Sequence, residues 1–432
     1  MAESNYSPPG TSLAKIVNWL ALSVWLACLN ASAILEYDQF PSLETFSSRG
    51  WQLAILNIFL LVLIVFLFFR EDDRETALLA WWKHVWLVIF LVLAGMSLSW
   101  SVYPKATVYE FILLITATFG ASYFAVRFKP KGALEILTWF AGISTILSLF
   151  LVGFTPTGIM QGEGHAGSWR GLFWHRNHTG SLMAFFNMLF LFRYLLEPAL
   201  DRCSRLIYVG FYILTAVHVF GSRSATGIII FFFLNLLGLV SFLWFRLREK
   251  LKAVHYYTSV VFFSLALILV LANRQVIFGL LGRSATMTGR TLMWPDLLYE
   301  DFMERPIFGH GFGAIWMQDG YRVEVQERWG WSYQPYFSDN GYIDLALNLG
   351  LIGLVVFVWG AGCTIFTLLH CAKKDGSWYW LIYFAMCIYV LIANITYSFL
   401  FEVDYFVWSL LILSSFLVME ARFTKGQLAY RS

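Results

Sequence analysis

The sequence predicts an all-α polytopic membrane protein, and three observations lead to this fold class. Of the 432 residues, 59% are hydrophobic and 13% are charged, whereas soluble globular domains are about one-quarter charged. The charged residues lie in short clusters between apolar runs of roughly 20 residues, the length that an α-helix needs to cross the hydrocarbon core. Trp and Tyr side chains crowd the ends of these runs, where amphipathic rings favour the headgroup layer. We therefore predict about twelve transmembrane helices.

The apolar runs place these helices in order along the chain. The predicted spans lie near residues 14–36, 51–70, 82–100, 107–126, 133–153, 178–196, 206–221, 225–245, 255–272, 341–369, 378–397 and 405–421. The one long polar excursion, 273–340, is predicted to be a large external loop between the ninth and tenth helices. The other connections are too short to hold a second soluble domain, so residues 1–432 form one predicted membrane domain.

Lysine and arginine predict the orientation, because positively charged short loops stay in the cytoplasm. An internal amino terminus places most of the 30 basic residues on the cytoplasmic side, among them Arg127, Lys129, Lys131, Lys373 and Lys374. The loop 273–340 then faces outward. The net charge of +3 is spread over many loops and forms no basic face, so nucleic acid is not a predicted partner.

Three external segments combine arginine with glycine and small polar residues. They are 167–178, 221–227 and 282–294, which contain Arg170, Arg223 and Arg290. A guanidinium is a permanently charged planar fork that matches two phosphate oxygens, so several of them beside a membrane suit a lipid pyrophosphate. Glycine permits tight turns whose backbone N–H groups also face an anion. For any single arginine, the alternative is snorkelling to lipid headgroups.

A fourth segment, 336–353, carries a polar turn into an apolar span. Asp339 or Asn340 could cap the helix that begins there, and Asp339 could instead belong to a polar site. Asp344 lies about one turn inside the span. An acid at that depth should face protein or a water-filled cavity, either as structural glue or as part of the site.

At these four segments the chain resembles the O-antigen ligase and polymerase superfamily, and within it the ExoQ-type exopolysaccharide production proteins. The most specific elements are residues 282–294 followed by Pro-Ile-Phe-Gly-His-Gly-Phe-Gly at 306–313. Next comes Asn-Gly-Tyr-Ile-Asp at 340–344, which runs into Leu-Gly-Leu-Ile-Gly at 349–353.

The resemblance implies a metal-independent glycosyltransferase with a GT-C-like architecture in a bacterial inner membrane, with its active site facing the periplasm. Its substrate would be a glycan carried on undecaprenyl pyrophosphate. Arg223 and Arg290 match the family arginines associated with the donor's pyrophosphate, and the large loop would cover the site as a lid. The ligases carry His directly before the Asn-Gly pair, whereas this chain has Asp339.

That departure leaves the catalytic base open. Asp339 is the first candidate, because partial burial can lift an aspartate pKa enough to accept a proton. His310 is the reserve, although a His in a glycine-rich turn also serves purely structural roles. No His/Asp/Glu cluster has metal-ligand spacing, so the sequence predicts no metal and no cofactor.

The predicted function is the polymerisation of lipid-linked repeat units of an exopolysaccharide or related surface polysaccharide. The predicted partners are the undecaprenyl-pyrophosphate-linked oligosaccharide, a glycan acceptor, membrane lipids and other polysaccharide assembly proteins. An O-antigen ligase, which transfers the glycan to a lipid A core, is the alternative within the same class. A transporter or flippase for the same lipid-linked sugar is the alternative from another class, although no paired Gly/Pro-broken helices suggest inverted repeats.

Overall fold

The computed structural model describes residues 55–67, 81–161, 165–198, 200–247, 290–331, 334–401 and 406–431, with the backbone alone for 290–292, 401 and 420–431. The predicted spans 14–36 and 255–272 lie outside the described residues. The helices of eight residues or more, together with the short helix at Arg290, are α1 Ile55–Leu67, α2 Val85–Met96, α3 Pro104–Phe154, α4 Arg176–Leu196, α5 Arg202–Gly221, α6 Ala225–Leu247, α7 Arg290–Asp296, α8 Tyr321–Trp329, α9 Gly341–Asp375, α10 Tyr379–Thr396 and α11 Phe406–Arg431.

These helices show an all-α membrane protein. Six of those described, α3, α4, α5, α6, α9 and α10, are long and apolar enough to cross a membrane. Three shorter apolar helices, at Ile55–Leu67, Val85–Ser99 and Phe406–Met419, coincide with further predicted spans.

Helix α3 contains two of the predicted spans. Its 51 residues would form a rod roughly 77 Å long, far more than the hydrocarbon core of about 30 Å. The backbone leaves the helical region at Lys129, with φ 54° and ψ 169°, directly before Pro130. Proline disfavours the helical conformation of the residue before it, and the Tyr383 hydroxyl donates to the Pro130 carbonyl at 2.6 Å. The kink separates the predicted spans 107–126 and 133–153.

Helix α4 lies at the centre of the bundle. It is the most enclosed of the six long apolar helices, whereas α5 and α6 expose most of their apolar surface, as lipid-facing helices do. Helices α4 and α6 pack closely through Gly180 and Gly227, where a Cβ on Gly227 would lie 2.5 Å from the Gly180 carbonyl carbon. Helix α4 begins at Arg176, so the end of the first arginine segment, 167–178, forms the first turn of this central helix.

Helix α9 is broken, which corrects the single predicted span 341–369. Gly350 has φ 66° and ψ −167°, and the loop segment 306–311 fills the interruption. The Leu351 N–H donates to the Pro306 carbonyl at 2.8 Å, and the His310 N–H donates to the Leu347 carbonyl at 2.9 Å. Loop groups thus replace the helical hydrogen bonds that the break removes. Helix α9 therefore consists of two parts, 341–349 and 351–375.

Replacing Gly350 by alanine is expected to destabilise this region strongly. The new Cβ would lie 2.1 Å from the Ile307 carbonyl oxygen and would sit at a positive φ, which together cost about 2–5 kcal/mol. Gly362→Ala is the matched control in the same helix, since a Cβ there meets nothing within 4 Å. Thermal unfolding in detergent should show a lower melting temperature for Gly350→Ala alone. Equal melting of both variants would mean that the break does not require glycine.

Candidate active site

The turn between α5 and α6 brings the first two arginine segments together. Arg223 occupies the left-handed region with φ 50°, and its carbonyl accepts a hydrogen bond from Arg176 Nη1 at 2.7 Å. The Ser224 hydroxyl donates to Asn177 Oδ1 at 3.0 Å. The Arg223 side chain is exposed and passes Gly167, where a Cβ would lie 3.7 Å from Arg223 Nη1. Backbone contacts thus fix the turn while the Arg223 guanidinium stays on the surface of the site.

Arg170 helps to fix the loop that precedes α4. Its Nε donates to the Thr157 carbonyl at 2.6 Å, and its own carbonyl accepts from the Thr179 hydroxyl at 2.5 Å. These bonds tie the loop to the first turn of α4 and give Arg170 a structural role. A contact between Arg170 and a pyrophosphate stays a prediction.

The turn before α9 resolves which residue caps that helix. Asn340 Oδ1 accepts from the Tyr342 and Ile343 N–H groups at 3.0 and 3.3 Å, so Asn340 is the N-cap. Asp339 lies one residue earlier with φ 58°, and its side chain is only partly buried. The cap therefore does not use the Asp339 carboxylate.

Asp344 holds this turn from inside the protein. Its buried carboxylate accepts from Trp316 Nε1 at 2.7 Å, from the Ser338 N–H at 3.1 Å and from the Ser398 hydroxyl. These donors come from the segment between α7 and α8, from the turn itself and from the segment after α10. The geometry supports a structural role for Asp344. A charged acceptor with several donors orders the segment that contains Asp339.

The third arginine segment contacts the same turn. Trp294 Nε1 donates to the Ser338 carbonyl at 2.8 Å, directly beside Asp339. Arg290 begins α7 four residues before Trp294, and its side chain lies outside the described residues. The helix that carries Arg290 is thus docked on the turn that carries Asp339.

Aromatic rings connect the first segment to the fourth. The centroids of Trp174 and Phe337 are 6.3 Å apart, and those of Phe337 and Tyr397 are 5.2 Å apart. His175 stacks on Tyr397 at 6.5 Å. Together with the bonds above, these contacts join portions of all four predicted segments in one continuous cluster at the amino-terminal ends of α4, α6, α7 and α9.

His310 lies at the break in α9 and not on the turn with Asp339. Its buried ring places Nδ1 3.0 Å from the Leu347 carbonyl and Nε2 3.4 Å from Glu304 Oε2. Both ring nitrogens face protein acceptors, the arrangement of a structural histidine in a glycine-rich turn. Its use as a base stays a prediction.

Comparison with known families identifies part of the chain. Residues 210–358 match the family model described as O-Antigen ligase. This segment is similar to the O-antigen ligase family. The match includes Arg223, Arg290, His310 and Asp339, whereas Arg170 precedes it. The resemblance to the ligase and polymerase superfamily is therefore confirmed, and the narrower ExoQ-type assignment stays a prediction. No curated protein matches the chain.

Within the matched segment, an ion-pair cluster that the sequence did not reveal ties α7 to α8. Arg328 contacts Asp296 at 3.2 Å, Asp301 at 2.9 Å and Glu324 at 2.7 Å, and Trp329 Nε1 also donates to Asp296. Burial raises the pKa of Asp301, although the Arg328 guanidinium acts in the opposite direction. Only the Glu324–Arg328 pair, spaced i,i+4 on one helix, is readable from sequence.

Proposed function

We propose that the chain is an inner-membrane glycosyltransferase that polymerises undecaprenyl-pyrophosphate-linked repeat units of an exopolysaccharide or related surface polysaccharide. The observation that carries this proposal is the cluster in which the Arg223 turn, the α7 segment and the Asp339 turn meet within the segment that is similar to the O-antigen ligase family. An anion-binding side and a carboxylate side are both needed for glycan transfer from a pyrophosphate.

The arginines serve the leaving group. When an acceptor hydroxyl attacks the anomeric carbon, the bond from that carbon to the pyrophosphate oxygen breaks and negative charge develops on the lipid pyrophosphate. Arg223 and Arg290, with Arg170 beside them, stabilise this charge through bidentate hydrogen bonds. Preorganised cations can perform this task without a metal ion or cofactor.

Asp339 serves the acceptor. Its carboxylate accepts the hydroxyl proton as the new glycosidic bond forms. Attack opposite the leaving group inverts the anomeric configuration and leaves undecaprenyl pyrophosphate as the second product. The position of Asp339 outside the cap supports its role as base, because Asn340 already accepts hydrogen bonds from the first N–H groups of α9.

The residues at the two ends of α9 support the proposed orientation in the membrane. The Asp339 turn precedes the amino-terminal end, and Lys373 and Lys374 lie in the last turn. Residues 351–375 extend for roughly 38 Å, enough to cross the hydrocarbon core. The positive-inside rule then assigns the lysines to the cytoplasm and the site to the periplasm. The proposal includes the twelve-span, GT-C-like topology with 273–340 as the periplasmic lid.

Reconstitution tests the proposed reaction against its two alternatives. Purified protein in liposomes that contain only lipid-linked repeat units is expected to form a ladder of longer lipid-linked glycans. A ligase would form product only after lipid A core is added, and a flippase would move labelled donor across the bilayer without a new glycosidic bond. Either of those results in place of the ladder would overturn the polymerase assignment.

A further inference from the structure

Helix α8 presents two arginines whose surroundings differ sharply. Arg328 is partly buried and contacts three carboxylates. Arg322 lies earlier in the same helix and is only 5% exposed, yet it makes no ion pair with any part of the chain that the structure describes. Its Nη1 is enclosed and has no hydrogen-bond acceptor there. Arg328 is thus neutralised by carboxylates, whereas Arg322 is buried and its Nη1 donates no hydrogen bond among the described residues.

Arg322 is held in place by an aromatic ring. Its guanidinium carbon lies 4.4 Å from the centroid of Tyr336, a distance typical of cation–π stacking. Such stacking occupies the face of the guanidinium, and Nη1 has no hydrogen-bond acceptor among the described residues. Burial raises the pKa of the Tyr336 hydroxyl, whereas the charge of Arg322 and a hydrogen bond with its side chain act in the opposite direction. The stacked pair therefore holds a desolvated cation ready for an in-plane acceptor.

The position of the pair indicates which substrate would supply that acceptor. Tyr336 precedes Asp339 by three residues in the turn that Asp344 holds. The next residue, Phe337, faces Trp174 at 6.3 Å, and Trp174 belongs to the arginine segment on the donor side. Arg322 thus lies with Asp339, whereas Arg223 lies across the aromatic contact.

We infer that Arg322 and Tyr336 form an anion subsite for the acceptor saccharide, which binds a carboxylate or phosphate substituent of that sugar. The inference rests on the proposed function, because it takes Asp339 to mark the acceptor side. It assigns an acidic glycan as the substrate class and gives α8 a direct role in choosing the acceptor. A planar two-oxygen anion fits the fork of Arg322.

An unpaired buried cation should affect the melting temperature of the protein in the absence of ligand. Removing it relieves the desolvation penalty, whereas removing a cation that has a structural counter-ion leaves an uncompensated charge. Arg322→Met is therefore expected to melt at the same temperature as the wild type or higher, despite the loss of stacking on Tyr336. Arg328→Met, which strips three carboxylates of their partner, is the contrasting variant and should melt lower.

Binding is tested with detergent-solubilised full-length protein and defined probes at constant ionic strength. Glucuronate and glucose 1-phosphate are titrated against neutral glucose, with Trp fluorescence or calorimetry as the readout. Arg322→Met should weaken binding of the acidic sugar about 10- to 100-fold. Arg305→Met should not, since Arg305 is exposed and donates to the Trp100 carbonyl. The acidic sugar that binds identifies the substituent.

Three results would overturn the inference. The first is a failure to discriminate: acidic and neutral sugars bind equally well, or the binding of both acidic probes is independent of Arg322. The second is Arg322-dependent binding of inorganic pyrophosphate alone, which would move Arg322 to the donor. The third is a lower melting temperature for Arg322→Met, which would reveal a structural counter-ion. All three readouts are independent of turnover, so they separate failure of this inference from failure of the proposed reaction.

Discussion

Asp339→Asn is expected to reduce glycan transfer by about 10²- to 10⁴-fold, the usual contribution of a positioned general base. The fold should be retained for two reasons. Asn340 supplies the cap of α9, so no helix-capping bond is lost. Asp339 also has φ 58°, a region that asparagine tolerates as well as aspartate does.

Two further variants test whether Asp339 or His310 is the base. Asp339→His should recover part of the activity, because histidine also tolerates the left-handed region and restores the group that the ligases carry at this position. His310→Gln should have the smaller effect, acting through the contact between the ring and Leu347. The measurement is the initial rate of polymer formation from purified lipid-linked repeat unit, with donor binding determined separately.

The opposite pattern would reassign the base. Near-normal turnover by Asp339→Asn, together with a large loss in His310→Gln, would remove Asp339 from the mechanism. The melting temperature of each variant is the control for local unfolding. Loss of a catalytic base lowers activity without changing the melting temperature, whereas local unfolding lowers both.

Arg223→Lys is expected to lower transfer by about 10²- to 10³-fold, comparable to the removal of one donor from an oxyanion site. Lysine keeps the charge but replaces the planar fork with a single ammonium, which cannot bind two phosphate oxygens in parallel. The turn itself should be preserved, because Arg176 binds the carbonyl of Arg223 and not its side chain.

Arg290→Lys should behave like Arg223→Lys if both arginines contact the same pyrophosphate. Arg305→Lys is the matched control, because Arg305 is an exposed arginine between α7 and α8 that donates to a backbone carbonyl. Rates are compared at saturating donor, and membrane insertion is checked by the yield of folded protein. Full activity in both Arg223→Lys and Arg290→Lys would identify these residues as headgroup anchors and end the pyrophosphate-site proposal.

The sequence predicted the spans and the polar segments better than the contacts between them. Apolar length fixes where a helix can cross a membrane, so helices occur at most of the predicted positions that the structure describes. The break at Gly350 was missed because an isolated glycine in an apolar run is compatible with an unbroken helix. Its partner, the segment 306–311, lies some 40 residues earlier in the chain, and no local pattern connects the two.

The site shows the same limit at the level of single side chains. Aspartate and asparagine cap helices equally well, so sequence could not choose between Asp339 and Asn340. Arg322 and Arg328 also look alike in sequence. Their difference depends on Asp296 and Asp301, which reach only Arg328 through the folded loop. Long-range pairing therefore decides which polar residue is structural and which is available for substrate.

The interrupted helix α9 also constrains how the protein is made. Its second part, 351–375, is long enough to partition into the bilayer alone, but the backbone groups beside Gly350 form hydrogen bonds with the segment 306–311. Unsatisfied backbone groups are costly in hydrocarbon. In the proposed orientation, the segment 306–311 is synthesised before α9 and is exported before that helix leaves the ribosome. The proposed orientation thus implies that the newly made α9 docks against a loop segment that already lies on the periplasmic side.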